Sequence, residues 1–352
     1  MKTYKKNEIN DKQNLELYDS LGILSISKVL NSEFLSSKQL IEMANDEKSI
    51  IIRNSFIAET NLLTRDKISN TLLDKDVINK GEQLLSMEKQ GSTDTVTTKI
   101  IVTLEPEDIT QVSPNLKQGC NFTYFDKCVF DSICSLLVVG NKAISLGMIA
   151  RNMMGKKTQY HPSEKMLNEI NETVNKLERI KICIDLTEEM NYFTQLQFKN
   201  DGESVMQSRF LEFRRVKTTL NGTETHVLLF SAEPILLQYA KLRSQISNIN
   251  GELLDTPTQK SKNLLTVQTF LIQKINMLKL NKTLPQSILY ESIYNLFADE
   301  DLTERGRKGL HTRIRQAVTD ILDYWVCKEF IHHYEIESKN RARFYKINIF
   351  FE

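Results

Sequence analysis

The sequence predicts an α+β chain, mainly helical, in which an order of three helices followed by a β-hairpin occurs twice. Three observations carry this. Apolar residues recur at helical spacing in two blocks, from about residue 124 to 180 and from about 264 to 327. Each block leads into β-branched and aromatic runs joined by a turn, at 209–230 and 329–351. The break Asp255-Thr256-Pro257 separates the two blocks.

Residues 1–95 form an N-terminal extension, expected to be helical or partly disordered, with helical patterns at 25–44 and 66–85 and a loop at 91–95. The β-branched run TVTTKIIVTL (95–104) reads as a strand. In YFDKCVFDSICSLLV (124–138), Phe125, Val129, Ile133, Leu136 and Leu137 share one helical face, and Gly140-Asn141 ends the helix. Ser145 caps a short helix that ends at Gly155. Pro162 suits the first position of a long third helix, whose buried stripe is Met166, Ile170, Val174 and Leu177. KICIDL (181–186) is a short strand, and Asn221-Gly222 supplies the tight turn of the hairpin at 209–230.

Residues 233–260 form a connecting helix and linker. The order then repeats: a helix at 264–278, a second at 285–297, a third within TERGRKGLHTRIRQAVTDILDYWVCKEFI (303–331), and strands at 329–337 and 343–351 joined by SKNRA. Such a unit is a winged helix, a helix-turn-helix variant whose third helix fits the major groove and whose hairpin reaches the flanking backbone. The expected domains are therefore a first winged helix over 96–232 and a second over 261–352.

Leu310, Ile314, Ala317, Val318, Ile321 and Trp325 fall on one arc of the last helix. Arg305, Lys308, Thr312 and Arg315 project broadly the other way. Residues 303–315 hold five Lys or Arg against one Glu, a local charge of +4 at the end where recognition helices commonly touch DNA. Gly306 and Gly309 blur the helix start and let backbone approach a duplex closely. The candidate DNA-binding residues of the second unit are Arg305, Arg307, Lys308, His311, Thr312 and Arg315 on the helix, with Lys339, Asn340, Arg341 and Arg343 on the wing. In the first unit they are Lys156, Lys157, Lys165 and Asn168 near the third helix, with Arg214, Arg215 and Lys217 on the hairpin, which also carries Arg209. Glu164, Glu169 and Glu172 make that unit less basic, so it reads as a base-reading half or as a protein-contact half.

The bulk numbers set bounds. At 352 residues, 40% hydrophobic and 26% charged, the chain is ordinary for a folded protein of two or three domains. Its longest apolar runs fall far short of the ~20 residues of a membrane span. The polar N-terminus lacks the apolar core of a secretory signal. Five cysteines without a Cys-x-x-Cys pair read as reduced thiols, hence a cytoplasmic protein. A net charge of +1 counts against binding nucleic acid by bulk charge alone and places the weight on local clusters.

YFDKCVFDSICSLLVVGNKAISLGMIARNMMG (124–155), ERIKICIDLTEEMN (178–191) and EPILLQYAKLRSQI (233–246) resemble stretches of theta-type plasmid replication initiators of Gram-positive plasmids and mobile elements. The resemblance covers roughly 99–351. It implies sequence-specific binding of double-stranded DNA at origin repeats by both units, recruitment of host replication proteins, and a switch between an inhibitory homodimer and an active monomer. Two other classes use the same units: a transcription regulator on a promoter, and a protein-interaction module without DNA binding.

The sequence carries no pattern that predicts a catalytic, metal or cofactor site. A phosphate-binding loop fails because Ala150 stands where its first glycine belongs and Lys157 where Ser or Thr belongs. His332-His333-Tyr334 superficially suggests a metal-dependent nickase, but neighbours on a strand face opposite ways. Cys327 with His332 gives too few ligands for zinc. The acidic groups Glu188-Glu189 and Asp299-Glu300-Asp301 read as surface acids, and Trp325 as core.

Overall fold

A computed structural model of the chain describes residues 60–64, 82–88, 95–104, 122–156, 160–185, 187, 205–220, 223–242, 246–298, 300, 302–339 and 342–351. Among these the architecture is α+β, mostly helical, with small antiparallel sheets. The helix expected over 25–44 and the loop over 91–94 lie outside the described residues.

The first unit begins with α1 (Tyr124–Val138). Thr123 caps it in a reciprocal box: its hydroxyl accepts from the Asp126 N–H, and the Asp126 carboxylate accepts from the Thr123 N–H. α1 is buried around most of its circumference, so it forms the centre of the first core. Gly140 ends it at φ +101°, where only a residue without Cβ sits unstrained. A short strand β4 (Ala143–Ser145) follows, and Ser145 caps α2 (Leu146–Met153). Ser163 caps α3 (Glu164–Arg179) by accepting from Met166, so Pro162 lies one position before the cap rather than at the first helical position. α3 buries Met166, Ile170, Val174 and Leu177 at the expected spacing.

Three strands, β1 (Thr60–Thr64), β2 (Glu82–Glu88) and β3 (Thr95–Leu104), precede α1. β2 corrects the last four residues of the helix expected over 66–85, since 82–85 pair antiparallel with β3, while 66–81 lie outside the described residues. Cross-strand pairing there overrides a local pattern that fitted helical spacing. β3 and β5 (Ile180–Asp185) pair in turn, and β5 pairs with β6 (Val205–Arg209), giving the sheet order β2-β3-β5-β6. Arg209 therefore belongs to this sheet, opposite Lys181, and not to the hairpin. The hairpin is β7 (Arg214–Leu220) with β8 (Thr223–Leu229), and β4 adds to its far edge in the order β4-β8-β7.

A helix α4 (Ile235–Leu242) and β9 (Ile246–Asn250), which pairs with β1, lead to a 3₁₀ turn, Gly251–Leu254. The second unit then repeats the order of the first without strands matching β5 and β6: α5 (Lys262–Leu280), β10 (Ser287–Leu289), α6 (Tyr290–Tyr294), α7 (Glu304–Cys327), β11 (His333–Lys339) and β12 (Ala342–Phe350). Its sheet order β10-β12-β11 matches β4-β8-β7. The single helix expected over 285–297 is instead a strand, one turn of α-helix and a 3₁₀ turn. The strand forms because Ser287–Leu289 pair antiparallel with β12, a long-range partner that local spacing does not reveal. α7 ends through Glu329 at φ +57°, with the Phe330 N–H returning to the Trp325 carbonyl.

The two units meet through α1 and α5. Tyr124 and Phe270 pack edge to face at 5.2 Å, and the Lys262 ammonium lies 5.4 Å from the Phe125 ring centre. The Gly251–Leu254 turn is held from both sides. From the second unit, Trp325 Nε1 donates to the Leu253 carbonyl at 2.9 Å and Tyr324 Oη to the Glu252 carbonyl at 2.9 Å. From the first unit, Lys156 pairs with Asp255, and Gly155 lies so close that a Cβ there would sit 2.5 Å from the Gly251 carbonyl oxygen. A buried knot completes the joint: Gln268 binds the Leu254 carbonyl and Thr256, and Lys260 Nζ donates to both of those groups. Burial, then the nearby Lys156, pushes the Lys260 amine down to about 8.

Gly155 combines φ +63° with that close approach. Gly155→Ala is expected to lower stability by at least about 2 kcal/mol, the left-handed penalty plus the displaced turn. Urea denaturation checks this, and a loss below about 0.5 kcal/mol, within the range of a neutral surface change, contradicts the tight joint.

Candidate nucleic-acid interface

α7 positions the main candidate residues. Thr303 caps it, its hydroxyl accepting from the Gly306 N–H at 3.2 Å, so the helix starts at Glu304 despite its two glycines. Leu310, Ile314, Ala317, Val318, Ile321, Leu322 and Trp325 are buried against the second core. That stripe fixes which arc faces outward. Arg305, Arg307, Lys308, Thr312, Arg313 and Gln316 are exposed. Arg305, Lys308, Gly309, Thr312 and Gln316 recur at three- and four-residue steps and form one outer ridge.

The ridge is not a set of free cations. Lys308 meets Glu304 at 2.6 Å, with both side chains more than three-quarters exposed. Such an exposed pair is worth little and leaves the ammonium open to a competing anion. Arg315 departs from the outward projection expected of it. It is half-buried, donates from Nε to the His311 carbonyl at 3.1 Å and from Nη2 to Thr312 at 3.3 Å, and lies 5.1 Å from the Phe344 ring of β12. It therefore spans from the helix to the hairpin. His311 is also half-buried, stacked on Tyr294 at 3.9 Å. Burial, then the guanidinium groups of Arg315 and Arg307, holds its imidazole below the usual range.

Gly309 sits in the middle of the ridge and is exposed, and a Cβ built there meets nothing within 4 Å. No packing within the chain asks for a glycine, although glycine in a helix interior costs about 1 kcal/mol relative to alanine.

The first unit presents less free charge. Arg215 donates to Asn171 at 2.9 Å and to Asn175, and lies 3.5 Å from Glu178, so it braces the hairpin against α3. Lys156 is committed to Asp255. Lys165 is exposed and 4.0 Å from Glu169, while Asn168 and Arg214 are exposed. Lys217, Lys339 and Arg343 lie on β7, β11 and β12. Lys157, Asn340 and Arg341 fall outside the described residues, as do Glu188, Glu189, Asp299 and Asp301. Sequence reading left out Arg313, Gln316 and the central place of Gly309. Helical spacing from the buried stripe was the signal that finds them.

Trp325 is fully buried. Among the described residues no group of three or more His, Cys, Asp or Glu is arranged to hold a metal ion, and no helix is long and apolar enough to cross a membrane.

No family model and no curated protein matches the chain. Among solved structures, it is similar to two crystal structures of domains 2 and 3 of RctB, one of a selenomethionine derivative. Identity is 12% in both, the TM-scores are 0.35 and 0.36, and each match covers 76% of this chain and 90% or 91% of the other. A likeness this loose carries no functional argument.

The placement of His311 can be checked directly. Its imidazole is expected to titrate below the ordinary value of about 6.5 by NMR, and to move up in Arg315→Ala. Because the folded value is the lower one, its contribution to stability is present above pH ~6.5 and is lost as pH falls through the folded value. A midpoint at or above the ordinary value contradicts the stacked, arginine-flanked position.

Proposed function

We propose that this chain is a non-enzymatic, cytoplasmic, sequence-specific binder of double-stranded DNA that initiates replication, built from two tandem winged helices. The winged-helix reading is supported by the order helix, strand, helix, helix, hairpin, which the two units share apart from strands β5 and β6 before the first hairpin, and by their matching sheet orders. The DNA reading rests on one observation above all: the outer ridge of α7, with Arg305, Lys308 and Thr312 exposed around a glycine that no internal packing explains. Arginine and lysine on such a ridge suit guanine edges or phosphate, and Gly309 removes the side chain where the helix would approach the duplex most closely. The replication part of the reading, with origin repeats, host replication proteins and a homodimer–monomer switch, rests on the sequence resemblance.

The second unit is the stronger DNA reader in this account. In the first unit, Arg215 and Lys156 are spent inside the fold, and α3 carries Glu164, Glu169 and Glu172 near its exposed amides.

Two predictions follow from the ridge. Alanine at Arg305 or Lys308 is expected to weaken duplex binding by ~1–3 kcal/mol if the side chain reads a base, or to lower the salt slope by about one if it holds a phosphate. Gly309→Ala is expected to have opposite effects on fold and binding: the fold gains up to about 1 kcal/mol, while DNA affinity falls. Melting and fluorescence-anisotropy titrations on selected duplexes measure both. Unchanged affinity in all three variants, with helicity intact, rejects the assignment.

A further inference from the structure

The far end of α7 carries a second feature that the DNA reading does not use. The end of α5, the turn after α7 and the end of β12 enclose a cleft of about 1110 Å³. Val326, Phe330, Ile349 and Phe351 give it an apolar floor. Lys279, Lys282 and Lys346 stand around it, with Glu329 the one acid among its lining residues. Lys346 is bonded to Glu337 at 2.9 Å, and the Lys279 ammonium lies 4.3 Å from the Phe330 ring centre. Large apolar side chains remain exposed at this end, Leu280 at 60% and Phe350 at 37%.

A bonded amide braces one wall of the cleft. Gln286 lines it, and its Nε2 donates toward the carbonyls of Leu284, Asn281 and Leu278 at 3.0, 3.3 and 3.5 Å. Those acceptors fix which end of the amide is oxygen. The oxygen is buried and has no hydrogen-bond partner among the described residues. Closed off from solvent, it offers an incoming ligand no hydrogen bond, so Gln286 serves the cleft as a fixed wall.

We propose that this cleft docks an acidic peptide segment of a partner protein, which inserts one aromatic or branched aliphatic side chain against Phe330 and Phe351. The lysine rim selects carboxylates and the floor takes the apolar anchor. Duplex DNA offers the rim its phosphates but gives the floor no matching group. Val326 lies seventeen residues beyond Gly309, roughly 25 Å along the helix at 1.5 Å per residue. A peptide here therefore leaves the ridge clear, and the proposal stands whether or not the ridge binds DNA.

The test is selection of a random-sequence peptide display library on the full chain, with a Lys279→Glu/Lys282→Glu double variant as counter-target. Recovered peptides are then synthesised, labelled and titrated by anisotropy. The expected peptides carry Asp or Glu beside Phe, Trp, Leu or Ile. Their affinity is expected to fall about tenfold or more, ~1.4 kcal/mol or above, in the double variant and to be unchanged in Arg305→Ala. Lys282→Glu alone, at an exposed side chain, repeats the measurement without risk to the fold. No enrichment, peptides without acidic residues, or equal binding by both charge-reversal variants overturns the proposal. So does loss of random-sequence duplex binding in those variants, which identifies the rim as a nucleic-acid contact.

Discussion

The bond from the Trp325 indole to the Leu253 carbonyl is the point on which the geometry of this protein turns. Trp325 is fully buried near the end of α7, and Leu253 belongs to the turn that joins the two units. The bond anchors the buried stripe of α7 at its far end and ties that helix to the turn between the units. A buried indole N–H without a partner is costly, so the bond tolerates little sliding. With the stripe from Leu310 to Trp325 fixed inward, the arc from Arg305 to Gln316 has nowhere to face but solvent. The division of α7 into a dry stripe and a basic front is therefore one constraint seen from two sides.

Much of this was legible in the sequence, because helical periodicity survives without knowledge of neighbours. The stripes of α1, α3 and α7, the turns at Gly140 and Gly155, and strand β3 all follow from local patterns. What was not legible depends on partners far along the chain. Strands β4 and β10 have three residues each and exist because β8 and β12 accept them. β2 is a strand because β3 lies beside it, and Arg209 leaves the hairpin because Lys181 claims it. The site shows the same limit. Residue type and spacing placed Arg305 and Lys308 outward, but the folding back of Arg315 onto Phe344 and the bracing of Arg215 by Asn171 need the tertiary structure.

The two units share a topology but spend their charges differently. In the second, the cations of the α7 ridge stay exposed, and their nearest acid, Glu304, is itself exposed. In the first, arginine and lysine are used to hold the hairpin to α3 and the unit to the connecting turn. A chain with a net charge of +1 can still present a local excess of cations, five Lys or Arg against one Glu over residues 303–315. The same asymmetry leaves the two ends of α7 with different chemistry, a polar ridge at the front and an apolar, lysine-rimmed cleft at the back.

The most direct measurement is hydrogen exchange of the full chain with and without a random-sequence duplex at low salt. Duplex is expected to slow exchange in the first turns of α7, over residues 304–316, and to leave the far end near Val326 unchanged. Duplex binding that leaves 304–316 unprotected, or the absence of any duplex binding at low salt, contradicts it.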